Sequence, residues 1–299
     1  MHIPDEVKIL DYLKGHKARL EERLACLPLL GSKATVAGEA LTYALQTPGK
    51  RFRALLTIAV ADIYRKGDDP LVLDAGVAVE CLHTASLILD DLPSMDDASL
   101  RRGQPPTHHV YGEGQAILAA LSLIAEANHL VASFKGERKS LMRKKLACLQ
   151  SMSSAISLEG LSGGQSDDLC EKKDLTLEEL EYIHAKKTGA LFLACVEVAA
   201  ILGDAPASER DWLQAYARNL GLAFQIRDDL LDQESTSRVT GKDVNLDAAK
   251  TTFVDIAGVK KCRELHQSLM TVALKNLEPF GKAARHLVAL TQIIRDRVS

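Results

Sequence analysis

Residues 71–97 read LVLDAGVAVECLHTASLILDDLPSMDD, a segment rich in Ala, Val and Leu that runs into a group of aspartates. Its apolar part is long and continuous enough to predict a buried helix. Similar segments lie at about residues 115–133, 190–202 and 212–231, whereas patterns typical of strands are almost absent. The turn signals between them are too short to be domain linkers. We therefore predict an all-α fold class, with residues 1–299 in a single domain.

The composition is that of an ordinary globular protein: of 299 residues, 46% are hydrophobic and 26% are charged. A net charge of -3 gives no electrostatic basis for binding nucleic acid. The six cysteines form no C-x-x-C pair, which predicts buried thiols in a reducing compartment. No run of roughly 18 apolar residues is evident, and the N-terminus lacks the pattern of a signal peptide. We predict no membrane span and a cytoplasmic location.

The first aspartate cluster comprises Asp90, Asp91, Asp96 and Asp97. Carboxylates so close together repel one another, and acids at a helix C-terminus also oppose the helix dipole. A lone acidic pair would ordinarily be a solvated helix end. This crowded group is better explained by a bound cation, and oxygen ligands of this kind suit Mg²⁺, which typically uses one or two carboxylates plus substrate phosphates.

A second cluster occurs in FQIRDDLLD at residues 224–232. Residues four apart lie about 40° apart around a helix, so Asp228 and Asp232 share one face. Asp229 is turned away by about 100°, which predicts a supporting role. Two clusters that each close an apolar helix predict facing helices that hold several metal ions between them.

Basic residues beside glycines are candidates for binding a diphosphate, although any one of them alone is more often a surface charge. The candidates are Lys50, Arg51 and Arg53, Arg101 and Arg102, Lys186 and Lys187, Lys242, and Lys250. His83 lies seven residues before Asp90, two helical turns away and on roughly the same face. The polar stretch 233–249 follows the second cluster directly, and we predict that it forms a lid.

Together these segments resemble the trans-prenyl diphosphate synthases, the polyprenyl synthetase family, from about residue 35 to the C-terminus. The resemblance is closest to bacterial geranylgeranyl diphosphate synthases. Three features are similar to those enzymes: Pro48, Ala120-Leu121 and DAAKTTF at 247–253. The matching segments, in chain order, are GKRFR at 49–53, HTASLILDD at 83–91 followed by Asp96, LRRG at 100–103, GGQ at 163–165, KTGALF at 187–192 and FQIRDDLLD at 224–232.

The resemblance implies the isoprenoid synthase fold, a single-domain bundle of antiparallel helices around a deep central cavity, and usually a homodimer. It implies Mg²⁺ as cofactor, with three ions expected, and isopentenyl diphosphate and an allylic diphosphate as substrates. Asp90, Asp96 and Asp228 would ligate Mg²⁺, Asp232 is counted with them in the metal site, and Asp91, Asp229 and Gln165 would support them. Arg101, Lys187 and Lys242 would grip the allylic diphosphate, Thr188 and Gln225 would line the reacting centre, and Lys50, Arg53, His83, Arg102 and Lys250 would complete substrate binding.

Product length depends on the residues one helical turn before Asp90. Ala85 and Ser86 are small there, so no aromatic ring closes the cavity near Asp90 and stops growth of the prenyl chain early. We therefore expect geranylgeranyl diphosphate as the product, with a farnesyl or longer product as the alternative. Two distant alternatives are a class I terpene cyclase, which would have a different second metal motif, and a non-catalytic synthase subunit, which would have lost one motif.

Overall fold

The computed structural model describes residues 6–27, 35–136, 138–170, 175–234 and 251–295. Within these residues the chain is helical, and the only β pairing is an isolated bridge between Arg101 and Gln104. The helices are α1 Glu6–Ala25, α2 Val36–Gln46, α3 Phe52–Ile63, α4 Pro70–Asp90, α5 Thr107–Tyr111, α6 Glu113–Ala132, α7 Lys139–Ile156, α8 Leu161–Leu169, α9 Leu177–His184, α10 Ala190–Leu202, α11 Ala207–Glu234, α12 Phe253–Lys275 and α13 Arg285–Arg295. A π turn, Ala185–Gly189, joins α9 to α10, and a 3-10 segment, Glu278–Ala284, precedes α13.

Local sequence signals explain where the helices near the site begin. The side chain of Asp69 accepts a hydrogen bond from the amide of Leu71, and Pro70 occupies the first turn of α4, where a missing N–H costs nothing. Helix α12 starts at a capping box in which the Thr252 side chain and the Asp255 side chain each accept from the other residue's amide. These caps set the ends of α4 and α12 independently of tertiary packing.

Helix α4 lies at the centre of the bundle and packs most extensively against α6, with further contacts to α3, α10 and α1. Its core residues are small, such as Ala75, Ala78 and Ala85, so neighbouring helices approach closely on several sides. Helix α11 packs mainly against α12 and α10. A second, smaller core, which includes Ile226 and Phe253, joins the C-terminal part of α11 to α12. The ends of α4 and α11 that carry the aspartate clusters are thus each fixed by packing against neighbouring helices.

The all-α prediction is confirmed, and the four long apolar segments correspond to α4, α6, α10 and α11. Two details differ. The spacing of Leu146, Leu149, Met152 and Ile156 predicts that they share one apolar face of a helix, but Leu146 is 66% exposed, because α7 turns its Cys148 and Met152 side to the core. Of the cysteines expected to be buried, Cys26 and Cys170 are exposed, because each follows the last residue of a surface helix.

The expectation of no membrane span stays a prediction, although two of the described helices are long and apolar enough to cross a bilayer by length and composition. These are α4 and α6. The apolar window of α4 is 67% buried inside the bundle, and that of α6 is 44% buried. A helix surrounded by others in a protein core passes the same test, so the finding is weak evidence for insertion.

Candidate active site

The first cluster is arranged by the loop that follows α4. The amide of Asp96 donates to the carbonyl of Asp90 at 2.9 Å, and the amide of Ala98 donates to the carbonyl of Asp91 at 3.2 Å. The chain therefore folds back on the end of the helix, which brings Asp96 beside Asp90. Both of these aspartate residues are half-buried and remain accessible to a ligand.

Asp91 has a different environment from its neighbours, because its side chain is buried and bound by Arg101. The Arg101 Nε donates to Asp91 Oδ1 at 2.8 Å, and Nη2 of the same guanidinium donates to the same oxygen. Such a charge-assisted contact fixes the orientation of the guanidinium. Asp91 thus holds Arg101 in place, next to the half-buried carboxylates of Asp90 and Asp96.

The second cluster, on α11, likewise combines one buried aspartate with half-buried ones. Asp229 is buried and accepts hydrogen bonds from Gln225 Nε2 and from the amide of Phe253, each at 2.9 Å. Asp228 and Asp232 are half-buried. In each cluster, therefore, the second aspartate is buried and held by protein donors, whereas Asp90, Asp96, Asp228 and Asp232 are half-buried.

The π turn between α9 and α10 connects the two clusters. Lys187 Nζ donates to Asp168 Oδ2 at 2.6 Å and lies near enough to Asp90 to act on its charge. Thr188 Oγ1 donates to Gln225 Oε1 at 3.0 Å. A π turn carries one more residue per hydrogen-bonded ring than an α-helix, and such turns occur often at functional sites.

A glycine on α8 makes the approach to this turn possible. A Cβ atom at Gly164 would lie 2.2 Å from the amide nitrogen of Lys187, so only glycine fits there. The next residue, Gln165, is buried, and its Nε2 lies 4.0 Å from the sulfur of Met95 in the loop after α4. Helix α8 thus packs against the first cluster and the π turn at the same time.

Arg53, in the first turn of α3, contacts both α4 and α10. Arg53 Nη1 donates to His83 Nε2 at 3.1 Å, and the Arg53 guanidinium carbon lies 5.0 Å from the ring centroid of Phe192. Burial lowers the pKa of His83 well below its usual value, and the guanidinium groups of Arg53 and Arg102 lower it further. Because arginine can only donate, a neutral His83 that accepts at Nε2 satisfies the pair. Lys50 and Arg102 are exposed.

The electrostatics of the first cluster match a cation site. Burial, with Asp96 and Asp91 nearby, raises the pKa of Asp90 to about 6 against the opposing effect of Lys187. Among the described residues, no three His, Cys, Asp or Glu side chains converge closely enough to hold a metal alone. Mg²⁺ suits this arrangement, because it takes one or two carboxylates from the protein and completes its shell with phosphate oxygens and water.

The raised pKa of Asp90 has a measurable consequence. The folded, metal-free protein holds this proton more tightly than the unfolded chain, so the contribution of Asp90 to stability falls as pH rises from about 4 to about 6. Mg²⁺ competes with the proton, so its affinity should rise across the same range. We expect calorimetric titration with Mg²⁺ to show weaker binding at about pH 5 than at about pH 7.5. Asp90→Asn should lose much of this pH dependence; equal wild-type affinity at both values would contradict the prediction.

Most of the predicted site residues are brought together by the fold. Ala85 and Ser86 are buried on α4, about one turn before Asp90. Lys242, Lys250 and the predicted lid from residue 235 onward lie outside the described residues, while Gln233 and Glu234 belong to α11.

Asp168, which anchors Lys187, was missed by sequence reasoning. The sequence does contain a signal for it. Asp167 and Asp168 form a third acidic pair, and this pair closely follows Gln165 of the predicted GGQ motif. Phe192 was noted only within the KTGALF segment, and nothing in the sequence indicated its contact with Arg53.

Comparison with known proteins agrees with this geometry. Residues 34–290 match the family model described as polyprenyl synthetase. The chain is 38% identical over 265 residues to the farnesyl diphosphate synthase of Bacillus subtilis (strain 168), covering 87% of this chain and 89% of the relative. It is also 38% identical over 267 residues to geranylgeranyl pyrophosphate synthase 4 of Arabidopsis thaliana, covering 87% of this chain and 70% of that protein.

Solved structures are similar over almost the whole chain. An apo FPP/GFPP synthase from Zymomonas mobilis matches with a TM-score of 0.85 and 32% identity, covering 96% of this chain and 99% of that one. A geranyltransferase from Helicobacter pylori, complexed with magnesium and isoprenyl diphosphate, matches with a TM-score of 0.84 and 29% identity, covering 97% and 98%.

The chain therefore belongs to the polyprenyl synthetase family and has the isoprenoid synthase fold. It is an enzyme, a prenyltransferase of the trans-prenyl diphosphate synthase type.

Proposed function

We propose that the enzyme condenses isopentenyl diphosphate head-to-tail with an allylic diphosphate and releases geranylgeranyl diphosphate. The observation that carries this proposal is the hydrogen-bonded path Thr188–Gln225–Asp229, which joins the turn that holds Lys187 beside Asp90 to the second aspartate cluster. Two carboxylate clusters with a lysine between them would form a site for one diphosphate group when Mg²⁺ offsets the charge of the carboxylates. The Arg53–His83 pair, between α3 and α4, would supply a second anion site. Two diphosphate sites are what a condensation requires.

Each group has a defined task in this reaction. Arg101, held by Asp91, and Lys187, held by Asp168, would bind the allylic diphosphate and stabilise the charge that it gains as the allylic C–O bond breaks. Gln225 and Thr188 would line the side of the site where the allylic carbocation forms. Lys50, Arg53, His83 and Arg102 would hold the second substrate, whose alkene attacks the cation. The new carbon–carbon bond leaves a second carbocation, and the departing diphosphate would take the proton that this carbocation loses.

The proposed cofactor is Mg²⁺, with three ions as the expected number. Bound between Asp90, Asp96, Asp228, Asp232 and the substrate, it would supply positive charge for the leaving diphosphate. The half-buried position of these four carboxylates, each beside a buried aspartate fixed by protein donors, supports this role.

The geranylgeranyl product is supported by the small, buried Ala85 and Ser86 next to Asp90. A farnesyl product is the second candidate, because the relative from Bacillus subtilis is named a farnesyl diphosphate synthase and is equally similar to this chain. Incubation with Mg²⁺, isopentenyl diphosphate and either geranyl or farnesyl diphosphate, followed by mass analysis, separates the two. Accumulation of the fifteen-carbon product would favour the farnesyl alternative. No elongation with any primer would leave only a cyclase or a non-catalytic subunit.

A homodimer is supported by one exposed apolar face. Ile117, Leu118 and Leu121 share a side of α6 and are 40%, 50% and 57% exposed. Exposed apolar stripes of this kind usually mark an interface. The double variant Leu118→Glu/Leu121→Glu should therefore convert a dimer to a monomer in size-exclusion chromatography with light scattering. Ile293→Glu, on the exposed side of α13, is the matched control. A dimeric double variant would rule out this face.

The cytoplasmic location stays a prediction. Burial of α4 within the bundle supports the absence of a membrane span, because that helix already uses its apolar surface for packing.

A further inference from the structure

Arg51 lies between two proposed substrate-binding residues, Lys50 and Arg53, yet its side chain is turned into the protein. It is 4% exposed, and its backbone has φ 49° and ψ 36°, the left-handed conformation. Residues other than glycine rarely adopt this backbone conformation, and it persists only where the surrounding structure enforces it. The conformation occurs at the residue immediately before α3, so it sets the direction of the chain between Lys50 and Arg53.

Three elements hold the Arg51 guanidinium. Nε donates to Glu21 Oε1 on α1 at 2.9 Å, and Nη2 donates to Glu21 Oε2 at 3.2 Å. Nη2 also donates to the carbonyl of Leu45 on α2 at 2.6 Å, and Nη1 lies 4.0 Å from Glu80 Oε2 on α4. This use of all three nitrogens needs the planar fork of arginine, because the single nitrogen of a lysine ammonium cannot bind both oxygens of Glu21 and also reach Leu45 and Glu80.

Glu80 connects the same network to the backbone of α3. It is 2% exposed, and its Oε1 accepts from the amide of Ala54 at 3.1 Å. A carboxylate at a helix N-terminus satisfies an otherwise unpaired amide and complements the helix dipole. His83 lies one turn after Glu80 on α4, so the two side chains are neighbours on one helix face. Glu80 therefore fixes the start of α3 beside the histidine that Arg53 contacts.

We propose that Arg51, clamped by Glu21 and Glu80, is a positioning residue that orients Lys50 and Arg53 toward isopentenyl diphosphate. This inference rests on the proposed function. It assigns Arg51 no contact with substrate. The clamp acts through the left-handed backbone at residue 51 and through the first turn of α3. The loss of the clamp thus weakens binding of isopentenyl diphosphate selectively, because the allylic site is built on Arg101, Lys187 and the aspartate clusters.

The test is steady-state kinetics of Arg51→Lys with each substrate varied in turn. The variant keeps the charge but loses the fork, so we expect the KM for isopentenyl diphosphate to rise by about tenfold or more, with the KM for the allylic substrate unchanged within about twofold. Arg23→Lys is the matched control, because Arg23 also joins α1 to α4, through Asp74 at 2.6 Å, but belongs to no part of the site. It should leave both KM values unchanged.

Glu80 supplies a graded comparison. Glu80→Gln keeps an acceptor for the Ala54 amide and should raise the KM for isopentenyl diphosphate less than Glu80→Ala does. If Arg51→Lys does not fold by circular dichroism, Glu21→Gln decides, since Glu21 is partly exposed and its loss removes only one partner of Arg51. An unchanged KM for isopentenyl diphosphate in Arg51→Lys, equal rises in both KM values, or the same shift in Arg23→Lys would overturn the proposal. Lack of any condensation by the wild-type enzyme would instead reject the proposed function itself.

Discussion

Replacing Asp90 or Asp228 with alanine or asparagine is expected to reduce turnover by about a thousandfold or more, effectively abolishing it, while the helical fold remains intact. Each is the half-buried first member of its cluster, and its carboxylate is proposed to bind Mg²⁺. Asparagine preserves the shape but removes the negative charge on which Mg²⁺ binding depends. Loss of one ligand should therefore impair stabilisation of the leaving diphosphate much more than it impairs packing.

The measurement is turnover at saturating substrates and Mg²⁺, with circular dichroism and thermal unfolding as the check on folding. Asp204→Asn is the control, because Asp204 pairs with Lys144 in a turn away from the site, in a left-handed conformation that asparagine tolerates. It should retain wild-type turnover. Near-normal turnover of either Asp90→Asn or Asp228→Asn would remove that residue from the metal site.

Ala85→Phe is expected to change the main product from twenty carbons to fifteen or fewer. Ala85 is 1% exposed and lies about one turn before Asp90 on α4. A phenylalanine ring there would occupy the volume of several methylenes that the growing chain needs, and a close-packed interior cannot absorb it. Chain growth would then stop earlier, although the carboxylates that act on the diphosphate would be unchanged.

Product analysis by mass after incubation with isopentenyl and geranyl diphosphate checks this expectation. Leu73→Phe is the matched control, because Leu73 is half-buried on the same helix but lies about 25 Å from Asp90 along the helix axis, at 1.5 Å per residue. The control should keep the wild-type product pattern. If the product lengths of Ala85→Phe and wild type agree, the floor of the cavity lies elsewhere.

The main helices and both aspartate clusters could be predicted because their signals are local. The long apolar segments that became α4 and α11 carry helical propensity and end in acids within a few residues of one another. The division of roles within the second cluster followed from angles around one helix, which needs no tertiary information. The position of Asp229, turned inward to Gln225, agrees with that angle.

Features that depend on distant partners could not be predicted. Asp168 approaches Lys187 only because α8 packs against the π turn, and the sequence around residues 185–189 gives no sign of that turn. Leu146 is exposed although its spacing fits an apolar face, because periodicity identifies a face and not what covers it. The left-handed conformation of Arg51 depends on carboxylates from two other helices.

The π turn makes this part of the chain sensitive to changes in length rather than in residue type. Its five residues include one more than an α-helical turn would need. Deletion of one codon between Ala185 and Gly189 would let α9 and α10 join as a continuous α-helix without loss of register in the flanking core. The same deletion would rotate Lys187 and Thr188 away from the cleft by about 100°. A natural variant with a one-residue deletion here would be folded but inactive.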